Sequence, residues 1–272
     1  MRVVLWIGKE PNQIALLNKI SKQHQVLGVV LETKQGIVKK RKLTLNIVIK
    51  KVIERILLRK VAVTWKMLME HYKKHFVDIS CSNIIEVTNI NSKEVIDFTN
   101  SLECELILVS GTLIIKKHMF LAESTYGIIN LHTGLSPYIK GGPNCTNWCI
   151  ATRQFHLIGN SVMWLNEGID SGELILTECT KFDGNESFFE IHLKVMEHAH
   201  ELYLKALKLI ESNEANRVNQ DIIGCGTTYY TRDWGLIWQI RLCKNLKQFS
   251  KVINSNEYKF LQEKVVKVDL KN

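Results

Sequence analysis

Five short apolar runs rich in β-branched residues, Val3–Ile7, Val26–Leu31, Ile84–Val87, Glu105–Val109 and Ile128–Leu131, constrain this chain more than any other feature. Each is bounded by polar or glycine residues, as strands buried on both faces of a parallel sheet are. Helix-period segments lie between them. Asn12–Lys22 follows the first run, and Ser92–Leu102 opens on an Asn/Ser cap with Glu94 and Asp97 in its first turns. Strands alternating with helices predict an open α/β domain with right-handed crossovers and helices on both faces of a mostly parallel sheet.

A longer stripe, Ser187 to Ile210, follows the turn at Asp183-Gly184-Asn185 and predicts a helix that closes one side of the sheet. Asn213-Glu214-Ala215-Asn216 is the best boundary signal, so residues 1–212 are expected to form the main domain. Residues 213–272 are too few for a second core and predict a small C-terminal appendage, packed on the main domain or on a partner subunit.

The net charge of +9 is concentrated, because Lys34 to Lys60 holds ten basic residues against the single acid Glu54. Val48, Val52 and Ile56 alternate there with Lys50, Lys51 and Arg55. A solvated, basic helical insertion over about 34–75 is the favoured reading, ahead of a nucleic-acid or membrane surface. Its field would draw in an anionic substrate. No apolar run approaches the roughly eighteen residues of a membrane span, and the first strand is too short for a signal sequence. A cytoplasmic protein is expected.

The seven cysteines, Cys81, Cys104, Cys145, Cys149, Cys179, Cys225 and Cys243, are odd in number and form no Cys-x-x-Cys pair, so reduced thiols and no metal site are expected. Cys145 and Cys149 share a face if helical. His198 and His200 point different ways on a helix, which argues against a metal there. His24, His71, His75 and His118 lie among polar residues and are expected to be solvated. Gly8-Lys9-Glu10-Pro11 lacks the glycine spacing of a phosphate loop and reads as a turn.

The chemistry concentrates between residues 128 and 173. In Ile128-Ile-Asn-Leu-His-Thr-Gly-Leu-Ser-Pro-Tyr-Ile-Lys-Gly-Gly-Pro143, a strand presents Asn130 and His132 on one side before a Pro/Gly-rich turn. Downstream, Gly159 to Glu173 reads as a strand and a tight loop that presents Asp170. An amide, an imidazole and a carboxylate with no adjacent serine or cysteine nucleophile suit direct acyl transfer.

The Asn-x-His strand, the Pro…Lys-Gly-Gly turn and the Gly-Ile-Asp-Ser-Gly loop resemble the folate-dependent formyltransferases, most closely the nucleotide-sugar N-formyltransferases. The motif match runs from about Val109 to Leu176. The resemblance departs at His132-Thr-Gly-Leu-Ser-Pro137, where members often have His-Pro-Ser-Leu-Leu-Pro, and at Met163, where many have a histidine. It implies a Rossmann-like fold and N10-formyltetrahydrofolate as donor, with tetrahydrofolate as product and no metal. By the same resemblance His132 manages the proton of the attacking amine, Asn130 donates to the oxyanion at the formyl carbon, and Asp170 orients His132. Ser110, Gly111, Thr112, Leu113 and Ile114 would meet the pterin, with Asn166, Glu167 and Gly168 on its other side.

For the acceptor the resemblance implies a nucleotide-linked amino sugar, such as a dTDP-amino-dideoxyhexose, held by Lys140, Gly141, Gly142, Tyr229, Tyr230 and Arg232. The aromatic residues Tyr229, Tyr230 and Trp234 are equally suited to burying the appendage. A homodimer is expected and nucleic acid is not. Methionyl-tRNA formyltransferase is the alternative; those enzymes carry a C-terminal barrel, and the run of short strands a barrel needs is missing after Asn213. A non-catalytic protein acting through its basic segment is a further alternative, against which the intact Asn130, His132 and Asp170 argue.

Overall fold

The computed structural model describes residues 1–33, 59–76 and 79–269, without the side chains of 60 and 62. The basic stretch over 34–58 lies outside these. Its continuation, Arg59–His75, is a helix.

The strands are β1 (Arg2–Gly8), β2 (Gln25–Glu32), β3 (Ile84–Val87), β4 (Leu106–Ser110), β5 (Gly127–His132), β6 (Ile139–Gly141), β7 (Gly159–Trp164), β8 (Leu174–Cys179) and β9 (Thr227–Tyr229). The helices are α1 (Pro11–Ser21), α2 (Arg59–His75), α3 (Lys93–Asn100), α4 (Cys145–Ala151), α5 (Phe188–Glu211), α6 (Gln220–Ile223), α7 (Leu236–Leu246), α8 (Phe249–Ile253) and α9 (Asn256–Glu263). The main sheet has seven strands in the order β3-β2-β1-β4-β5-β7-β8. The first five pair in parallel, while β7 and β8 add antiparallel. This is a Rossmann-like, mostly parallel α/β fold. Strands β6 and β9 form a separate parallel pair.

The period of two along each strand divides the core between the faces of the sheet. Val3, Leu5 and Ile7 of β1 face Ile14, Leu17 and Ile20 of α1 and Leu202, Tyr203 and Leu207 of α5. Val4 and Trp6 face Val95 of α3 and Met119 on the other side. Each such buried side chain contributes about 1.5–3 kcal/mol relative to exposure. Helix α5 starts on a capping box in which Ser187 accepts from the Glu190 amide and Glu190 accepts from the Ser187 amide. Ser92 sits at the N-cap of α3, but its side chain makes no capping bond.

The segment beyond Asn213 is tied closely to the sheet. Asn216 donates to Ile175 O and Asp269 O, Val218 pairs with Leu174 of β8, and Val268 donates its amide to Thr177 Oγ1. Leu242, Phe249, Ile253 and Tyr258 bury with Cys149, Phe155 and Ile191 in one cluster. Residues on both sides of the boundary signal therefore share a core.

One histidine differs from expectation. His24 is buried, with Nδ1 3.4 Å from the N-terminal amine, and burial lowers its pKa. His118 is tied by Nε2 to Asn91 O at 2.8 Å. Their polar sequence neighbours gave no sign of these long-range partners.

Candidate active site

Strand β5 delivers the first two groups. Ile129 and Leu131 join the core on the α5 side of the sheet, so Ile128, Asn130 and His132 project from the opposite face. Ile128 is consumed by packing. Asn130 and His132 lie farther along and reach a cavity of about 470 Å³ at the carboxyl ends of β4 and β5. Open α/β sheets bind ligands at this end. Among the described residues, no protein group hydrogen-bonds the Asn130 side chain.

The third group arrives on the loop between β7 and β8. Asp170 adopts φ +47°, a left-handed conformation that turns its carboxylate back toward β5. Its Oδ1 lies 3.4 Å from His132 Nδ1, an ion-pair distance, and its Oδ2 accepts the Gly141 amide at 3.0 Å. Gln220 of α6 grips the loop by donating from Nε2 to Asp170 O at 2.8 Å and Gly172 O at 2.9 Å.

His132 is fixed from behind. A Cβ on Gly134 would stand 2.3 Å from His132 Nε2, so the chain tucks against the imidazole only because residue 134 is glycine. Ser161, opposite His132 on β7, donates to Gly134 O and accepts from the Ser136 amide, both at 2.8 Å. Cys145 Sγ lies 3.5 Å from His132 Nε2, and burial pushes its thiol pKa well up. The thiol is a packing and hydrogen-bonding group here, not a thiolate nucleophile.

Two further walls complete the cavity. The loop from Gly111 to Ile115 is held by buried Glu32, whose Oε2 accepts the Leu113 amide at 2.7 Å, and by Asn91, whose Nδ2 donates to Ile114 O at 3.0 Å. This support leaves Leu113 and Ile114 52% and 60% exposed at the cavity. Asn166 crosses the Asp170 loop, accepting from the Gly168 amide and the Ser171 hydroxyl. From the C-terminal segment, β9 and the turn after it bring Tyr229, Tyr230 and Thr231 to the rim.

Of the residues singled out by sequence, Gly111, Thr112, Leu113, Ile114, Asn130, His132, Gly141, Gly142, Asn166, Gly168, Asp170, Tyr229 and Tyr230 line this one cavity. The others lie outside its lining. Ser110 is buried at the end of β4, Lys140 pairs with Thr228 in the small sheet, and Glu167 meets Lys117 at 3.1 Å. Arg232 lays its guanidinium 4.8 Å from the Tyr230 ring centre. The Tyr229 ring is stacked on Trp148 at 4.3 Å, which leaves Tyr230 the more available aromatic face. Sequence reasoning missed Gly134, Ser161 and Gln220, which act through contacts no local pattern marks. Among the described residues, no three His, Cys, Asp or Glu side chains gather to hold a metal ion, and no helix is long and apolar enough to cross a membrane.

A family model described as "Formyl transferase" matches residues 1–207. The methionyl-tRNA formyltransferase of Clostridium tetani is 28% identical over 166 residues, 60% of this chain and 53% of that protein. That of Fusobacterium nucleatum is 23% identical over 220 residues, 80% of this chain and 62% of its own. The chain spans about half the length of the curated relatives it matches. Among solved structures, an N-formyltransferase from Helicobacter canadensis shares the fold with a TM-score of 0.56 and 15% identity, over 90% of this chain and 81% of its own. A sugar N-formyltransferase from a Shewanella species does so with a TM-score of 0.56 and 12% identity, over 90% and 88%. With the family match covering residues 1–207, this chain belongs to the formyl transferase family.

Proposed function

We propose that the protein transfers a formyl group from N10-formyltetrahydrofolate to the amino group of a nucleotide-linked amino sugar. The observation that carries the reading is the convergence of Asn130, His132 and Asp170 on one cavity, with the Asn130 amide unengaged and His132 held against Asp170 at 3.4 Å.

The walls suit the donor. The exposed Leu113 and Ile114, on a loop fixed by Glu32 and Asn91, offer an apolar face to a flat ring. When bound, the folate supplies an already activated formyl group. Asn130 donates its amide to the oxygen on which negative charge develops. His132 takes the proton of the attacking amine, and Asp170 stabilises the resulting imidazolium through the contact described above.

The sugar acceptor is supported by the rim. Strand β9 and the turn after it bring Tyr230 and Thr231 beside the Asp170 loop, where an aromatic face suits a base or sugar ring. The Helicobacter canadensis structure, similar in fold, is a complex with folinic acid and dTDP-3-aminofucose. A second reading, formylation of methionyl-tRNA, is favoured by the names of the curated relatives.

Incubation of the purified protein with N10-formyltetrahydrofolate and, separately, a panel of nucleotide-linked amino sugars and charged methionyl-tRNA separates the readings. Formylated sugar is the expected product. Formylated methionyl-tRNA with no sugar product selects the second reading, and no transfer to any amine removes both.

A further inference from the structure

Asp170 is held in place by a part of the chain that lies beyond residues 1–207, the stretch matched by the family. Its backbone has φ +47°, on the loop between β7 and β8. Non-glycine residues are uncommon in that left-handed region and need support from their surroundings. Gln220 gives that support, with Nε2 donating to Asp170 O at 2.8 Å and to Gly172 O at 2.9 Å. A primary amide nitrogen carries two hydrogens, and both are used here. Each partner is a carbonyl, which can only accept, so the Gln220 amide has one orientation.

The support is itself anchored. Leu174 at the start of β8 donates its amide to Val218 O at 2.8 Å and accepts the Val218 amide at 3.1 Å. This antiparallel pairing carries Gln220 back to a place opposite Gly172. Asn216 ties the same segment to Ile175 O, Asn219 caps α6 by accepting the Asp221 amide, and Gln220 is buried. The first half of the loop has a brace of its own, because Asn166 Oδ1 accepts from the Gly168 amide and the Ser171 hydroxyl. Gln220 therefore acts on residues 170–172 and leaves the wall at 166–168 to Asn166.

We propose that Gln220 is a positioning residue for Asp170. By fixing the carbonyls of Asp170 and Gly172 it keeps the carboxylate where Oδ1 stands 3.4 Å from His132 Nδ1 and Oδ2 accepts the Gly141 amide at 3.0 Å. The inference deepens the proposed function and rests on it for its catalytic meaning. It gives the C-terminal segment a share in turnover as well as in packing. Without the two bonds the loop can relax from its left-handed backbone, and the carboxylate moves away from the imidazole it faces. Misplacement by about an ångström costs up to about a hundredfold in rate.

Two variants of the full chain test this. Gln220→Met keeps the length of the side chain and removes both donors, whereas Gln220→His offers one ring N–H near the place of Nε2. The expected order of kcat is wild type, then Gln220→His, then Gln220→Met, the last lower by about tenfold or more. KM should change little, because Asn166 still braces the rest of the wall. A role in packing alone reverses the two variants, since methionine matches glutamine in shape more closely than histidine does. That reversed order, or wild-type kcat in Gln220→Met, overturns the proposal.

The Gly141 amide gives a readout without substrate, because its acceptor is Asp170 Oδ2. Lys140-Gly141 is the only Lys-Gly pair in the sequence, so ¹³C-carbonyl lysine with ¹⁵N-glycine labels that amide uniquely. In Gln220→Met its exchange with solvent should quicken, with the amides of Gly28 in β2 and Gly159 in β7 as the reference for global opening. An unchanged Gly141 rate overturns the proposal. If Gln220→Met does not fold, Gln220→His carries both readouts, and wild-type values there overturn it equally. Faster Gly141 exchange in a protein that formylates no amine upholds the positioning and counts against the function alone.

Discussion

Gly141 donates its amide to Asp170 Oδ2 at 3.0 Å, and this bond joins the end of β6 to the loop after β7. The position accepts no side chain. Its φ is +86°, and a Cβ would fall 2.1 Å from Tyr229 O in the paired strand β9. Gly141→Ala should therefore cost at least about 1–3 kcal/mol, the range for a strained backbone conformation. It should also detach β9 and free Asp170. Urea unfolding with a parallel activity assay checks this; a variant of unchanged stability and turnover would show that the pairing constrains nothing.

Replacing the three polar groups themselves should separate chemistry from folding. His132→Ala and Asp170→Ala are expected to abolish transfer while leaving the unfolding midpoint within the usual scatter of partly buried sites. Asn130→Ala should cost about 2.7–4 kcal/mol in transition-state stabilisation, the range for one lost oxyanion donor. Steady-state kinetics on each variant decide it, and near-normal turnover in any of them removes that residue from the mechanism.

Acid should weaken the fold before it reaches the carboxylates. Burial of His192 on α5 pushes its pKa from 6.5 down to about 4, and burial of His200, reinforced by the Lys19 ammonium, pushes it down to about 3. A depressed pKa means that the unfolded chain binds protons the folded chain refuses. The stability from these groups is complete above pH 6.5 and is lost progressively as pH falls from there, toward about 4 for His192 and about 3 for His200. Denaturation midpoints measured across this window should decline. His192→Gln, which keeps a donor for Asn147 Oδ1 at His192 Nε2's 3.1 Å contact, should flatten part of the slope. An unchanged slope would assign the acid sensitivity to other groups.

The legible part of this fold is the part built by periodicity. The β-branched runs give β1 to β5 within a residue or two, because a strand buried on both faces needs continuous apolar sequence. The long stripe after Ser187 gives α5 for the same kind of reason. Strands β6 and β9, with three residues each, have no room for a period and exist because Gly141 and Gly226 let backbones approach. Asn130 and His132 are readable as a pair because two residues on a strand share a face. Gln220, fifty residues from Asp170, and Ser161, twenty-seven from Gly134, become neighbours only once the sheet is assembled. Tyr229 and Tyr230 look alike in sequence, yet one ring is spent on Trp148 and the other remains accessible.

That difference carries the last prediction, which concerns how the acceptor is held. Tyr230 is 42% exposed at the cavity rim with the Arg232 guanidinium 4.8 Å from its ring centre, so an aromatic face and a cation stand side by side at a distance from the reacting groups. A base and a diphosphate match that pair of features. Binding energy collected there can hold the amine in line with the formyl carbon, which makes the remote part of the substrate contribute to rate. The free amino sugar, lacking that part, should be a far poorer substrate than its nucleotide-linked form. Tyr230→Ala should lower kcat/KM for the linked sugar by about 0.5–1.5 kcal/mol, the worth of one aromatic pairing, and leave the free sugar unaffected. Tyr229→Ala should instead lower thermal stability, because it removes the stack on Trp148. Equal kcat/KM for the linked and free sugars, or a preference for charged tRNA over both, would show that the rim recognises no nucleotide and that the sugar assignment is wrong.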